Sequence, residues 1–542
     1  MIRAWNLSDW IMTDDKMYDA IIVGGGIAGL TAASYLCKYG YHPLVIEKQE
    51  ETGGLVHSFP YKGFIFDSGI RSIESSGIVK PLIRDLGLDI DYRKSQVTLG
   101  IKDQVITLSS KEDIKNYEAL MISLFPNDEK DIKKIVKKIY QILGYMDVLY
   151  GIDNPMMMDL KKHKSYVIKT LLPWLFKFIP TLYHIDQLTI PVEGYLRRYT
   201  QNESLIDMMI QHFFKATPTF FALGYFGLYF DYHYPQGGTG KLTEALTNYI
   251  LDHQGIIKTK TEIIFVDPEK KYIKDKDDVR YDYKNLIWSS DLKTLYQAID
   301  ISSINQKSLK KKVELKKSVI MDKRGAESVL TVYATVDLPL TYFGDIASEH
   351  FFYTPQTQGI HRVLLPKVDS MALLEPILST YYQLQTYEIS IPALRDSTMS
   401  PNGKTGLIIS ILMDYDTIKH IDDQGYYQEF KTYTEKAFID ILSSSIYPLL
   451  KEHVIDTFSA TPLTFKKRNG STDGAIIGWA YDSKPIPVHH KMSKITSSMK
   501  TPIPYIYQAG QWSFSPAGVP ISVITGKLSA DRVKKNLKKQ KN

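Results

Sequence analysis

Three glycines near the start of the chain have the spacing of an anion-binding turn. Gly24, Gly26 and Gly29 form a G-x-G-x-x-G pattern after a β-branched run at residues 18–23 and before a helix-like segment at residues 30–39. The first glycine permits a tight turn, the second lets a pyrophosphate approach the backbone, and the third lets the helix pack closely on the strand. The anion then lies at the helix N-terminus. We therefore expect contacts to the ligand from these glycines and from Ile27 and Ala28.

Glu47 supplies the acidic group that such a unit uses to bind a ribose. A second strand-like run at residues 42–46 ends at Glu47, close to the spacing at which a carboxylate accepts hydrogen bonds from a ribose diol. An acidic side chain at this place disfavours a 2′-phosphate and therefore NADP. The order of strand, glycines, helix, strand and carboxylate predicts a dinucleotide site, and NAD and FAD both remain open on this evidence.

Glycine-rich segments further along the chain distinguish between these two cofactors. Gly53 and Gly54 follow Lys48, and residues 63–69 read Gly-Phe-Ile-Phe-Asp-Ser-Gly. This arrangement resembles the extended FAD fingerprint of the flavin amine oxidase and phytoene desaturase superfamily. The resemblance implies that FAD is the cofactor and that Lys48 and both glycines lie against it. Arg or Ser usually follows the glycine pair in that superfamily, and Leu55 stands there in this chain, so we expect no side-chain contact from it.

Later segments match the same superfamily in the same order. Residues 231–263 resemble its return to the nucleotide domain, which implies backbone contacts from Ile263 beside the adenine. Residues 390–403 and 461–478 resemble segments of carotenoid desaturases, carotenoid isomerases and retinol saturases. Residues 509–519 resemble the C-terminal flavin motif, in which a glycine loop and a helix N-terminus face the flavin. The contacts that this last motif implies are Gly510, Gln511, Gly518 and Val519, with Gln511 standing where the superfamily often has Asp.

The resemblance implies an α/β fold with two interleaved domains. A Rossmann-type FAD-binding domain is expected from residues 17–94, 231–300 and 457–542. An α+β substrate-binding domain is expected from residues 95–230 and 301–456, which are rich in Tyr, Phe, Leu and Met.

The implied function is that of an FAD-dependent oxidoreductase acting on double bonds of a carotenoid, a retinoid or a similar isoprenoid. Desaturation, saturation and cis–trans isomerisation all remain open. The alternatives are an amine-oxidase-like flavoprotein and a non-catalytic prenyl-binding protein that resembles Rab GDP-dissociation inhibitors. His57, Arg71, Tyr232 and His233 are candidate proton donors, but each is also readable as a structural side chain, so the catalytic residues stay unassigned.

Two apolar segments bear on how a lipophilic substrate would be handled. Eight aromatic residues between 213 and 230 form either ordinary core or the wall of an apolar tunnel. Residues 166–180 mix apolar bulk with lysines and follow Lys161, Lys162 and Lys164, which suits either an interfacial helix or a helix that caps a core. With the basic residues of the segment 532–541, otherwise a solvated terminus, such a helix would give peripheral contact with an anionic membrane.

Composition excludes several other classes of protein. The 542 residues carry 66 basic and 60 acidic side chains, and the resulting net charge of +6 gives no support to nucleic-acid binding. The single cysteine excludes intrachain disulfides and thiolate metal sites and fits a reducing compartment, and no metal-ligand spacing is present. The first 16 residues do not read as a signal peptide, so we expect a cytoplasmic protein that starts at Met1, Met12 or Met17.

Overall fold

The computed structural model describes residues 17–541, so the first 16 residues, with the possible starts at Met1 and Met12, lie outside the described residues. The strands are β1 (Met17–Tyr18), β2 (Ile21–Val23), β3 (Leu44–Ile46), β4 (Ser58–Tyr61), β5 (Phe64–Asp67), β6 (Ile73–Glu74), β7 (Tyr92–Lys94), β8 (Val97–Ile101), β9 (Gln104–Leu108), β10 (Tyr232–Pro235), β11 (Ile256–Lys258), β12 (Ile263–Asp267), β13 (Tyr272–Asp275), β14 (Arg280–Tyr283), β15 (Leu286–Trp288), β16 (Ser328–Val336), β17 (His350–Thr354), β18 (Tyr387–Ser390), β19 (Thr405–Met413), β20 (Val454–Ala460) and β21 (Ile506–Gln508).

Helices cover most of the remaining regular structure. They are α1 (Ile27–Lys38), α2 (Val79–Leu86), α3 (Ile114–Leu124), α4 (Glu129–Tyr150), α5 (Lys164–Tyr166), α6 (Leu172–Gln187), α7 (Val192–Leu196), α8 (Glu203–Ile210), α9 (Thr219–Tyr229), α10 (Lys241–Asp252), α11 (Leu292–Ala298), α12 (Lys307–Met321), α13 (Leu340–Gly344), α14 (Met371–Leu384), α15 (Pro392–Arg395), α16 (Tyr415–Asp423), α17 (Tyr427–Ser445), α18 (Leu450–His453), α19 (Pro462–Asn469) and α20 (Val519–Lys541). A π-helical turn, Val167–Leu171, joins α5 to α6 without a break.

A parallel five-stranded sheet is assembled from three distant parts of the chain. Its order is β11-β3-β2-β15-β21, and every neighbouring pair is parallel. The three central strands, β3, β2 and β15, are fully apolar and buried, which is the pattern of a sheet that is covered on both faces. Helices α1, α10 and α20 pack together on one face, and the meander β1-β14-β13-β12 belongs to the core cluster of the other.

A second, larger sheet lies in the remaining sequence. Its order is β20-β16-β19-β18-β17-β8-β9, antiparallel except for the parallel pair β17 and β8. Helices α14, α16 and α17 share a core cluster with this sheet, and α3, α4 and α6 to α9 form a further apolar cluster beside it. The small sheet β6-β10-β7 contains strands from the sequence on either side of that helical cluster.

The C-terminal segment folds differently from the expected solvated terminus. Residues 532–541 continue α20, and Val533 and Leu537 are buried against the core of the parallel sheet, whereas Lys535, Lys538 and Lys539 are exposed. The apolar spacing of these two residues within the lysine run explains the difference. Among residues 17–541, no helix is both long and apolar enough to cross a bilayer.

Candidate functional site

A cleft of about 460 Å³ opens at the carboxyl ends of β2, β3 and β15. This is the edge of a parallel sheet at which such folds bind nucleotides. Its volume lies within the usual range of about 300–1,000 Å³ for cofactor sites. Of the residues expected at the site, those that line the cleft are Gly24, Gly26, Ile27, Ala28, Glu47, Lys48, Gly53, Gly54, Gly510 and Gln511.

The two later glycines of the first motif have different surroundings. A Cβ atom on Gly29 would lie 2.0 Å from the carbonyl oxygen of Gly24 and 2.5 Å from Ser289 Oγ, so only glycine fits where α1 meets the sheet. A Cβ atom on Gly26 would meet nothing within 4 Å. Gly26 is also the N-cap of α1 and offers no capping side chain, so the helix N-terminus opens into free space in the cleft. An anion placed there would accept hydrogen bonds from the unpaired N–H groups of the first turn.

Glu47 is held in place by the backbone around it. Its Oε2 accepts the Gly25 N–H at 2.7 Å, and its Oε1 accepts the Gln49 N–H at 2.9 Å. The side chain is buried and lies at the end of β3, directly beside the glycine turn. Each carboxylate oxygen has two acceptor positions, so both retain capacity for a further donor such as a ribose hydroxyl.

The second glycine pair closes the cleft opposite α1. Gly53 N–H donates to Gly25 O at 2.8 Å, which ties the two glycine segments together. Gly53 has φ +117°, a conformation that favours glycine, and a Cβ atom there would lie 2.8 Å from Val56 O. The second pair and the first motif therefore form one backbone-lined wall.

The C-terminal motif contributes a loop and a second helix N-terminus. Gly510 N–H donates to Thr525 Oγ1 at 3.0 Å, which fixes the loop against α20. Gln511 lines the cleft together with Trp512 and Ser522, the latter in the first turn of α20. This places the beginning of α20 beside the beginning of α1.

Four residues expected at the site do not line the cleft. Gly29 packs α1 on the sheet, and Gly518 and Val519 lie behind the Gly510 loop at the start of α20. Ile263 begins β12 in the meander, because the chain turns sharply after β11. Thr261, two residues earlier, lies next to Glu47, since its N–H donates to Glu47 O at 2.9 Å.

Several residues of the cleft were missed by the sequence analysis. Ser289 and Ser290 follow β15, and Ser289 Oγ donates to Gly24 O at 2.8 Å. Arg468, at the end of α19, is an exposed cation on the rim of the cleft. The burial of His57 and, after it, the positive charge of Arg468 lower the pKa of His57. Two serines directly after an apolar strand are a signal from which Ser289 and Ser290 could have been predicted. No local sequence pattern points to Arg468.

The candidate proton donors are spread over different surroundings. His57 lines the cleft and lies 3.4 Å from Glu51. Arg71 is buried and donates to Asp67 O at 2.8 Å and Ser410 Oγ at 3.2 Å. Tyr232 shares a hydrogen bond of 2.9 Å with Tyr225, and His233 contacts Lys80 at 2.8 Å on the surface. His57 is therefore the only one of the four that lines the cleft, and their catalytic roles stay unassigned.

Most of the aromatic residues between 213 and 230 pack into the helical cluster. Phe220, Phe226 and Tyr229 are buried there. The cavity beside them, lined also by Met208 and His212, measures about 30 Å³. That is room for about one water molecule. These buried side chains therefore contribute to the core, and the tunnel stays a prediction.

Comparison with known proteins extends these observations over the whole chain. Residues 22–86 match the family described as NAD(P)-binding Rossmann-like domain. The chain is 21% identical over 549 residues to the 4,4'-diapophytoene desaturase (4,4'-diaponeurosporene-forming) of Staphylococcus aureus strain COL, covering 96% of this chain and 99% of that protein. The similarity to this desaturase is full-length. The resemblance to the phytoene desaturase superfamily, inferred from motifs, is thereby confirmed.

Solved structures share the fold at lower identity. An oxidoreductase from Methanosarcina mazei superposes with a TM-score of 0.61 at 14% identity, covering 95% of this chain and 99% of that one. Cyclohexylamine oxidase from Brevibacterium oxydans superposes with a TM-score of 0.57 at 12% identity, covering 96% and 100%. The expected α/β fold with a Rossmann-type domain is confirmed.

Proposed function

We propose that this protein is an FAD-dependent oxidoreductase that acts on carbon–carbon bonds of a carotenoid, a retinoid or a similar isoprenoid. The observation that carries the proposal is the full-length similarity to a 4,4'-diapophytoene desaturase. The cleft supports it, because glycine segments from both ends of the chain meet there. The reaction is a desaturation, a saturation or a cis–trans isomerisation of the substrate.

The residues of the cleft fit FAD. Open space beside Gly26 accommodates a pyrophosphate at the start of α1, and the free acceptor positions of Glu47 suit a ribose. Lys48, Gly53, Gly54, Gly510 and Gln511 hold the remainder of the cofactor, with Gly518 and Val519 setting the direction of α20. When bound, FAD supplies an acceptor or donor of hydride, while the protein orients the substrate and excludes water.

We extend the proposal to the domain division. Residues 17–94, 231–300 and 457–542 serve the nucleotide, and residues 95–230 and 301–456 serve the substrate. The parallel sheet supports the first group, because its strands come from all three of those segments. Six of the seven strands of the mixed sheet come from the second group, which supports the second assignment.

Substrate uptake from a membrane is part of the same proposal. Five apolar side chains lie at intervals of three or four residues along the continuous helix of α5, the π-helical turn and α6, and all are exposed: Ile168, Leu172, Phe176, Ile179 and Tyr183. At this spacing they share one face of the helix, which we call the exposed stripe. Phe176 is 82% exposed. Apolar surface of this extent on one helix marks an interaction site.

The opposite face of this helix packs against the protein, so the exposed stripe is held in a fixed position. Trp174 stacks on Phe178 at 4.1 Å, and Ile185 is buried in the helical cluster. The helix is thus held against α4 while the stripe stays outward. Exposed Lys161, Lys162, Lys164, Lys169 and Lys177 surround the stripe, and this combination suits the surface of an anionic bilayer. The protein therefore works as a peripheral protein at the cytoplasmic face of a membrane.

A product assay tests the proposed activity. The purified holoprotein would be incubated, in oxidised or reduced form, with isoprenoids in lipid vesicles, and products separated by chromatography. We expect a product with a changed number or geometry of double bonds, and denaturation should release FAD. Protein that carries no flavin, or that leaves every isoprenoid unchanged while forming hydrogen peroxide from amines, would replace this proposal with the amine-oxidase alternative.

A further inference from the structure

A carboxyl group lies behind the C-terminal glycine loop with no partner of opposite charge. Glu74 is the last residue of β6, and Tyr232 of β10 is opposite it across the strand pair. Its Oε1 would lie 3.4 Å from a Cβ atom placed on Gly518, at the start of α20. Within residues 17–541, no other residue donates a hydrogen bond to this carboxyl or forms an ion pair with it. An unpaired buried carboxyl is costly, so its presence calls for a functional reason.

The surroundings of Glu74 are aromatic and carry no compensating cation. Three phenols feel its charge: Tyr150 of α4, Tyr225 of α9 and Tyr232. Asp231 is the charged residue whose charge affects the pKa of Glu74. Its Oδ2 accepts a hydrogen bond from the Ser76 N–H at 2.8 Å. Burial, together with a smaller contribution from the negative charge of Asp231, raises the pKa of Glu74 to about 7.

Glu74 is partly exposed as a residue, and burial is the largest cause of the raised pKa of its carboxyl. Burial raises the pKa of Tyr150 to about 12 and raises those of Tyr225 and Tyr232 as well, so these phenols stay protonated. Glu74 thus lies beside Gly518 at the start of α20, whose first turn reaches the cleft through Ser522, and its carboxyl gains or loses a proton near neutral pH, which suits a general acid or base.

We propose that Glu74 is the catalytic acid–base residue of this enzyme, a role that rests on the proposed function. In a desaturation, one carbon of the substrate loses a hydride to the bound flavin and the adjacent carbon loses a proton to the Glu74 carboxylate. One C–H electron pair leaves with the hydride and reduces the flavin, and the other C–H electron pair stays behind as the new double bond. In a saturation the same proton travels from the carboxylic acid to carbon.

Three variants of the flavin-loaded protein test this role. Glu74→Gln keeps the shape of the side chain and removes the titrating carboxyl group. Glu74→Asp keeps the carboxyl group but places it one methylene closer to the backbone. Glu327→Gln is the matched control, because burial also raises the pKa of Glu327, yet this residue pairs with Lys215 and lines a different cavity of about 130 Å³. Two readouts are recorded: infrared difference spectra of the substrate-free holoprotein across pH, and the rate of single-turnover conversion of isoprenoid against pH.

We expect a carboxyl band that titrates near pH 7 in the wild type and in Glu327→Gln, and that is missing in Glu74→Gln. The rate should fall at least about 100-fold in Glu74→Gln, with its dependence on pH around 7 lost and partly restored in Glu74→Asp. Unchanged rates and pH profile in Glu74→Gln would overturn the role of Glu74 and leave the proposed function standing. A wild type that binds no flavin or converts no isoprenoid would instead refute the proposed function itself.

Discussion

Gly26 and Gly29 belong to the same motif but serve different purposes. At Gly29 a side chain would collide with the Gly24 carbonyl, whereas at Gly26 it would enter the free space of the cleft. The first position is therefore needed for folding and the second for the ligand. The motif predicted the close packing of Gly29 on the strand, which the structure shows, but it did not predict that Gly29 would stay out of the cleft that Gly26 lines.

Substitution of these two glycines should produce opposite phenotypes. Gly26→Val should fold with an unchanged melting temperature of the apoprotein, since its backbone conformation is an ordinary one, but should bind FAD at least about tenfold more weakly. Gly29→Val should lose about 3 kcal/mol or more of unfolding free energy from overpacking. Calorimetry of the apoprotein and a fluorescence titration with FAD measure both. Flavin binding by Gly26→Val at wild-type affinity would contradict this division of roles.

Glu74 also predicts a pH dependence of stability. Because its pKa is raised from 4.5 to about 7 in the folded protein, folding favours the protonated form. The stabilisation is present in full below pH 4.5 and is lost as the pH rises to about 7, by about 3 kcal/mol at most. In Glu74→Gln this decline should disappear, so the variant becomes more stable relative to the wild type at pH 8. Denaturant unfolding at pH 5 and pH 8 measures the difference; a constant difference across that range would contradict it.

The sequence could reveal Glu47 and the glycines because their roles depend on short-range spacing. Strand, turn and helix follow within about thirty residues in a βαβ unit, so a local pattern suffices. Glu74 could not be found in this way. Its importance comes from Tyr150, Tyr225 and Gly518, which are distant in sequence, and from the lack of a cation beside it.

The helix that carries the exposed stripe is the element with the clearest second role. Its sequence left two interpretations open, and the structure shows why: one face caps the helical cluster through Trp174 and Ile185, while the stripe faces outward. The two interpretations, a helix that caps the core and an interfacial helix, are therefore compatible with each other. Lysines on both sides of the stripe made the pattern visible in the sequence.

A double substitution tests the stripe. Phe176→Glu with Ile179→Glu should weaken binding to anionic vesicles at least about tenfold, because each side chain that inserts contributes about 1.5–3 kcal/mol of apolar burial. The melting temperature should change little, since both residues are exposed. Leu315→Glu is the matched control, as Leu315 is an apolar residue of α12 that is 67% exposed and belongs to no stripe. Vesicle sedimentation that does not distinguish the double variant from this control would refute membrane contact through the stripe.

Other elements show where spacing misleads. The strand that pairs with β3 ends at Lys258, and the following turn, with Lys260 at φ +54°, brings Thr261 to Glu47 and carries Ile263 away into the meander. A turn of this kind changes which residue lies beside Glu47 without altering the local sequence pattern. The strands could thus be predicted from the sequence, whereas the residue whose N–H donates to Glu47 could not.

At the scale of the whole molecule, the cleft is lined by residues from three segments that are distant in the sequence. β21 and α20 come from the C-terminus and complete a sheet begun at β2. The order of motifs in the sequence predicted this interleaving. Whether apolar side chains fill a core or line a tunnel was not predictable, because both need the same residues and differ only in how closely α4 and α9 approach.

Ligand binding should therefore stabilise the protein as one unit. FAD at about 100 times its dissociation constant should add about 2.7 kcal/mol to the unfolding free energy. A single calorimetric transition should move to higher temperature as a whole, since residues from both ends of the chain hold the ligand. Two transitions, of which FAD shifts only one, would show that the segments unfold separately.

The central claim, that a flavin in this cleft exchanges hydride with an isoprenoid, is tested most directly by anaerobic titration of the holoprotein. Flavin and polyene absorbance would be recorded together as the isoprenoid is added to oxidised and to reduced protein. We predict that the polyene band changes in only one of the two redox states and that each equivalent of flavin that changes state in a desaturation or saturation matches one altered substrate. A polyene spectrum unaffected by either redox state, with flavin that responds only to amines, would contradict the account.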